Sequence, residues 1–164
     1  QPFMKSETFS IVVVESQPLM LIALSAALSA EGICVLAEVT NPQLAIRAVE
    51  KFEPRLLLFS IGKSSLPDLE RISAIRYEFP NVLILALVGG DFRGQERMAL
   101  DYGAQSVLTK AAPRAELIAA LRKLLKQESH AVVTTHTTLG VVTTPDRWIV
   151  HSPIAHRCPC QTHK

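Results

Sequence analysis

The sequence predicts an α/β fold: a five-stranded parallel doubly wound sheet with helices on both faces. Three observations lead there. Short apolar runs and longer amphipathic segments alternate five times between Phe9 and Gln127. The short runs are rich in Val, Ile and Leu and lack polar alternation, as strands covered on both faces do. The links between segments are short, which forces right-handed crossovers and a single parallel sheet.

Taken in order, the expected strands are Ser10–Val14, Cys34–Val39, Leu56–Ile61, Leu83–Val88 and Ser106–Thr109. The helices between and after them are expected near Pro18–Ala30, Pro42–Phe52, Leu66–Glu78, Arg93–Tyr102 and Arg114–Lys126. Asn41-Pro42 marks a helix start, because the asparagine side chain caps the first turn and the proline lacks an N–H that the first turn would leave unbonded anyway. Pro113 is expected to act in the same way for the last helix. In such sheets ligands sit at the carboxyl ends of the strands, near the point where strand order reverses. The residues that close each strand are therefore the candidates for function.

The chain has 164 residues, of which 48% are hydrophobic and 20% charged, the balance of a globular protein with a real core. A formal charge of +2 without a clustered basic face argues against nucleic acid. No apolar run approaches the ~20 residues of a spanning helix, and nothing at the start reads as a secretory signal. Gln1-Pro2-Phe3 ahead of Met4 reads as an expression remnant before a native start. Cys34, Cys158 and Cys160 do not form the even, spaced set of a disulfide scaffold, so a reducing cytoplasm is expected.

The strand ends carry the more specific signal. The first strand closes with Val14-Glu15-Ser16-Gln17-Pro18, the third with Leu58-Phe59-Ser60, the fourth with Leu87-Val88-Gly89 and the fifth with Leu108-Thr109-Lys110 before Pro113. This layout resembles the receiver domains of bacterial two-component response regulators, whose fold is flavodoxin-like, over roughly Phe9 to Gln127. The Gln17-Pro18-Leu19 opening is most similar to receivers that precede helix-turn-helix output domains.

The resemblance implies a chemistry and also its loss. Receivers hold magnesium with two acids on the first strand and a phosphoacceptor aspartate on the third, while a lysine on the fifth neutralises phosphoryl oxygens. A Thr or Ser on the fourth strand and an aromatic on the fifth relay the change. Carried onto this chain, the acid pair becomes Glu15 and Ser16, the phosphoacceptor becomes Ser60, the hydroxyl becomes Val88 and the switch aromatic becomes Val107. Only Lys110 remains as the family has it. With two of three carboxylates gone, magnesium binding is expected to be lost, and no other cofactor is expected. Glu15 is expected to pair with Lys110, and Ser60 to fill the emptied pocket as a small polar residue.

The function expected is a phosphorylation-independent receiver: a protein–protein interaction or dimerisation module of phosphorelay signalling, without enzymatic activity. Its partner, or a second copy, would use the face of the fourth helix, fifth strand and fifth helix, where Arg97, Asp101, Arg122 and Lys126 offer complementary charge. One alternative is a remnant response regulator whose DNA-binding output domain is missing. Another is metal binding by the tail, residues 128–164, where His151, His156, Cys158, Cys160 and His163 fall within thirteen residues but match no well-specified finger spacing. The Thr-rich stretch before them reads equally as a small hairpin turning at Leu139-Gly140 or as irregular chain. An enzyme of another doubly wound family is disfavoured, since no Gly-rich phosphate loop follows the first strand.

Overall fold

The computed structural model describes residues 9–63, 65–90 and 94–127. The Thr-rich stretch and the Cys/His candidates of the tail lie outside them. Five parallel strands form one sheet in the order β2-β1-β3-β4-β5: β1 Ser10–Val14, β2 Cys34–Val39, β3 Leu56–Ser60, β4 Leu83–Val88 and β5 Ser106–Thr109. The helices are α1 Pro18–Ala30, α2 Ala45–Phe52, α3 Ser65–Glu78, α4 Gln95–Asp101 and α5 Arg114–Gln127. This is the expected doubly wound fold. The order reverses between β1 and β3, so the crevice of such folds lies above these two strands.

Each strand feeds two cores because successive side chains point to opposite faces. Val12, Val14, Leu57, Phe59, Ile84 and Ala86 face a layer built with Ala48 and Val49 of α2, Ile72 and Ile75 of α3 and Ala99 of α4. Ile11, Val13, Leu56, Leu58 and Leu85 face the other layer, with Leu24 and Leu28 of α1 and Leu121 and Leu125 of α5. The central strand β3 is buried along its whole length. That double burial explains the unbroken apolar run Leu56–Phe59.

Local chemistry sets the boundaries. The Asn41 side chain accepts a hydrogen bond from the Gln43 N–H at 3.0 Å, as its capping role requires. The turn it caps, Pro42–Leu44, is a 3-10 helix, so α2 begins three residues later than the sequence suggests. Pro113 stands just before α5, its carbonyl accepting from the Leu117 N–H. Gly103 turns α4 into β5 with φ +120, packed so tightly on Arg76 that a Cβ would lie 2.9 Å from its side chain. The Arg76 Nε in turn donates to the Gly103 carbonyl at 3.0 Å. Cys34, 5% exposed at the start of β2, is disulfide-bonded, contrary to the reduced state expected of the cysteines.

Candidate functional site

Parallel pairing carries the strand-end residues to one edge of the sheet. β1 and β3 pair Val14 with Phe59, so Glu15 and Ser60, one residue further along each strand, are neighbours at the switch point. Their backbones stay in the ladders: the Glu15 N–H donates to the Val39 carbonyl, the Ile61 N–H to Leu87 and the Lys110 N–H to Val88. The side chains take no part in these ladder bonds.

Glu15 is 1% exposed and Ser60 4%. One Glu15 carboxylate oxygen, Oε1, accepts from the Gln17 N–H at 2.8 Å and so closes the turn into α1. The other, Oε2, is buried without a hydrogen-bond partner, and so is the Ser60 hydroxyl. A buried polar atom left in this state costs roughly 1–3 kcal/mol. The two adjacent strand ends therefore hold a polar couple that the described residues do not satisfy.

The expected pairing of Glu15 with Lys110 is not made. Among the described residues Lys110 enters no ion pair. Sheet order explains this, for β1 and β5 stand three strand spacings apart, roughly 14 Å of backbone separation, and Glu15 is turned toward its own loop. Ser16 points into solvent. Val88 is 1% exposed and joins the core under α3 and α4, with Val107 half-buried against the same cluster.

Two buried polar residues near the loops were not foreseen. Asp68, in the first turn of α3, accepts from the Gly62 N–H at 2.8 Å and from Arg71 at 2.9 Å, so it ties the loop after Ser60 to the helix. Gln95 opens α4 at 4% exposure with its Oε1 unpartnered. An acid in a helix's first turn is a legible signal, but the loop it would reach is not.

The charges proposed for an interface separate. Arg97 and Asp101 pair with each other along exposed α4 at 3.1 Å. Arg122 instead joins Arg114 on Glu31, at 2.8 and 3.1 Å, which fastens α5 to the end of α1. Its charge is thus engaged within the chain, on the α1 side of α5. Lys126 is exposed on the last turn of α5.

Residues 11–122 match the response regulator receiver domain family. The chain belongs to that family. This receiver shares its fold with solved structures at low identity. The signal receiver domain of the putative response regulator NarL from Mycobacterium tuberculosis is 24% identical at TM-score 0.66, covering 73% of this chain and 98% of that one. A CheY-like receiver domain protein from Methanospirillum hungatei JF-1 is 20% identical at 0.67, covering 74% and 98%. The BeF3-activated N-terminal receiver domain of Klebsiella pneumoniae RstA is 26% identical at 0.64, covering 72% and 99%. Against NtrX from Brucella abortus, 20% identical at TM-score 0.67 over 74% of this chain, it spans 27% of that chain. No curated protein matches. No helix among the described residues is long and apolar enough to cross a membrane.

Proposed function

We propose that this receiver acts without phosphoryl transfer, as an interaction module of two-component signalling in the cytoplasm. The reading rests on Ser60. At the end of the central strand, beside Glu15, the family's chemistry calls for a carboxylate that attacks phosphorus and becomes an acyl phosphate as the donor's leaving group departs. A serine hydroxyl would form only a phosphate ester, and Ser60 is 4% exposed. Glu15 is then the one carboxylate of the three the family uses, too little charge to hold a hard divalent cation against water. Val88 has no hydroxyl to draw toward a phosphoryl group, and Val107 has no ring to turn.

A receiver of this kind presents one fixed surface. The face proposed is that of α4, β5 and α5: β5 is an edge strand, half-buried along its length, and α4 beside it exposes Met98 and Leu100 between Arg97 and Asp101. Lys126 adds a cation on α5, and Arg122, held by Glu31, contributes at most from the rim. The experiment is incubation with acetyl phosphate and magnesium followed by intact-mass measurement. No adduct is expected. A stable adduct on Ser60 or Glu15 would overturn the proposal.

A further inference from the structure

Helix α1 is unlike a surface helix. Its thirteen residues, Pro18 to Ala30, contain no charged side chain, although only Leu21, Leu24, Ser25 and Leu28 are buried. At 3.6 residues per turn, Leu19, Ala26 and Ala30 fall within about 40° of one another on the side turned away from those four, with Ile22 and Ala23 on either flank. Leu19 is 83% exposed and Ile22 64%. A helix apolar on all sides belongs in an interior or in a membrane, and the outer side of this one is bare.

The neighbouring helix carries the charge that α1 lacks. Glu31, at the end of α1, takes Arg114 at 3.1 Å and Arg122 at 2.8 Å, and so fixes α1 and α5 side by side in one layer. Lys123 and Lys126 stand with Arg122 on the exposed side of α5, around a shallow cleft of about 420 Å³ that Ala119 and Gln127 also line. Neither lysine meets a carboxylate among the described residues. Glu116, in the first turn, is the one acid of α5 against four cations. The opposite layer has the other sign, for α2, α3 and α4 hold six acids against five cations.

The size of this surface decides between occupants. α1 and α5 are each roughly 20 Å long, and two faces roughly 10 Å wide give about 400 Å². A stable contact with a second copy or another rigid protein needs about 800 Å² on each side. A bilayer needs no matching shape: its headgroup region yields around single side chains and takes in an apolar face to a depth of roughly 5–10 Å. Anionic lipids also answer the cations beside that face.

We propose that the outer faces of α1 and α5 dock this receiver on an anionic membrane surface. Leu19 and Ile22 enter the headgroup region, the small side chains of Ala23, Ala26 and Ala30 let the helix axis lie close to it, and Lys123 and Lys126 hold acidic headgroups alongside. Each contribution is small, since a short apolar strip or a pair of lysines alone gives only marginal adsorption. Binding is therefore reversible and needs both. The layer of α2, α3 and α4, with its excess of acid, faces away from the lipid.

Co-sedimentation of the full chain with vesicles tests this. Wild type should pellet with vesicles of equal parts phosphatidylcholine and phosphatidylglycerol and stay in solution with phosphatidylcholine alone. Ile22→Glu should need at least about tenfold more lipid for half-binding, through the lost apolar contact. Lys123→Glu with Lys126→Glu should need at least about twentyfold more, at roughly fivefold for each lysine. Salt at about 1 M, which screens charges beyond roughly 3 Å, should release wild type. Tyr77→Glu, 89% exposed on α3 in the opposite layer, should bind as wild type. Circular dichroism checks that each variant is folded, and the lysine pair, exposed on α5, decides by itself should Ile22→Glu lose its fold. The proposal is overturned if the chain stays in solution with anionic vesicles, pellets equally with neutral ones or holds on in high salt. It is overturned too if a folded variant of either helix binds as wild type, or if sedimentation without lipid shows a dimer that Ile22→Glu dissociates (a second copy as the occupant).

Discussion

Replacing Ser60 with alanine should stabilise the domain by about 1 kcal/mol. The hydroxyl is 4% exposed and its oxygen has no hydrogen-bond partner. Folding therefore strips water from it without return, at roughly 1–3 kcal/mol. Against that gain stand the few contacts one oxygen makes, each about 0.1–0.2 kcal/mol, and alanine's slightly poorer fit to a strand. The backbone cost is small, since the ladder bonds of β3 do not involve the side chain. For a domain of this size 1 kcal/mol raises the melting temperature by about 2–8 °C. Thermal unfolding followed by circular dichroism, with urea titrations checking that the slope is unchanged, measures it. A melting temperature that falls by several degrees would refute the reasoning, for it would mean that the hydroxyl is hydrogen-bonded in solution and that the couple with Glu15 is satisfied.

Gly103→Ala should destabilise by about 2 kcal/mol or more, because φ +120 strains any Cβ and this one meets Arg76 at 2.9 Å; an unchanged melting temperature would contradict the turn. Asp101→Lys breaks the pair with Arg97 and reverses charge on the proposed partner face, so sedimentation at tens of micromolar should show weaker self-association than wild type; identical profiles would remove this face as the contact.

The sheet was legible because parallel strands announce themselves. Leu56 to Phe59 and Leu83 to Val88 are apolar throughout, and only a strand buried on both faces asks for that. Helix starts were less legible, since Pro42 opens a 3-10 turn whose length depends on packing and not on the Asn41 cap. The site divides in the same way. Register alone brings Glu15 beside Ser60, and register follows from the apolar pattern. The Glu15–Lys110 pair failed because strand order, not spacing along the chain, sets the gap between β1 and β5. Asp68 escaped notice because its partner is a backbone N–H in a loop, and Arg122 because Glu31 lies far away in sequence. The bare face of α1 was open to view as a helix without charge, but which of its apolar residues stay outside, Leu19 and Ile22 among them, is set by packing.

If, as proposed, the strand ends do not switch, that changes what this receiver can respond to. A ligand shifts a two-state protein only by the difference in its affinity for the two states, and a 1:99 balance reversed to 99:1 takes about 5.5 kcal/mol. In a phosphorylated receiver that difference is generated at the strand ends. On the reading proposed here, Glu15 and Ser60 offer one desolvated carboxylate oxygen and one hydroxyl, while Val88 is part of the core beneath α3 and α4 and Val107 packs against it. Regulation then has to enter from outside the pocket, by binding energy at a surface. Two surfaces are open to it, the edge formed by α4, β5 and α5 and the apolar face of α1, and Glu31 with Arg114 and Arg122 links the second of these to the first through α5.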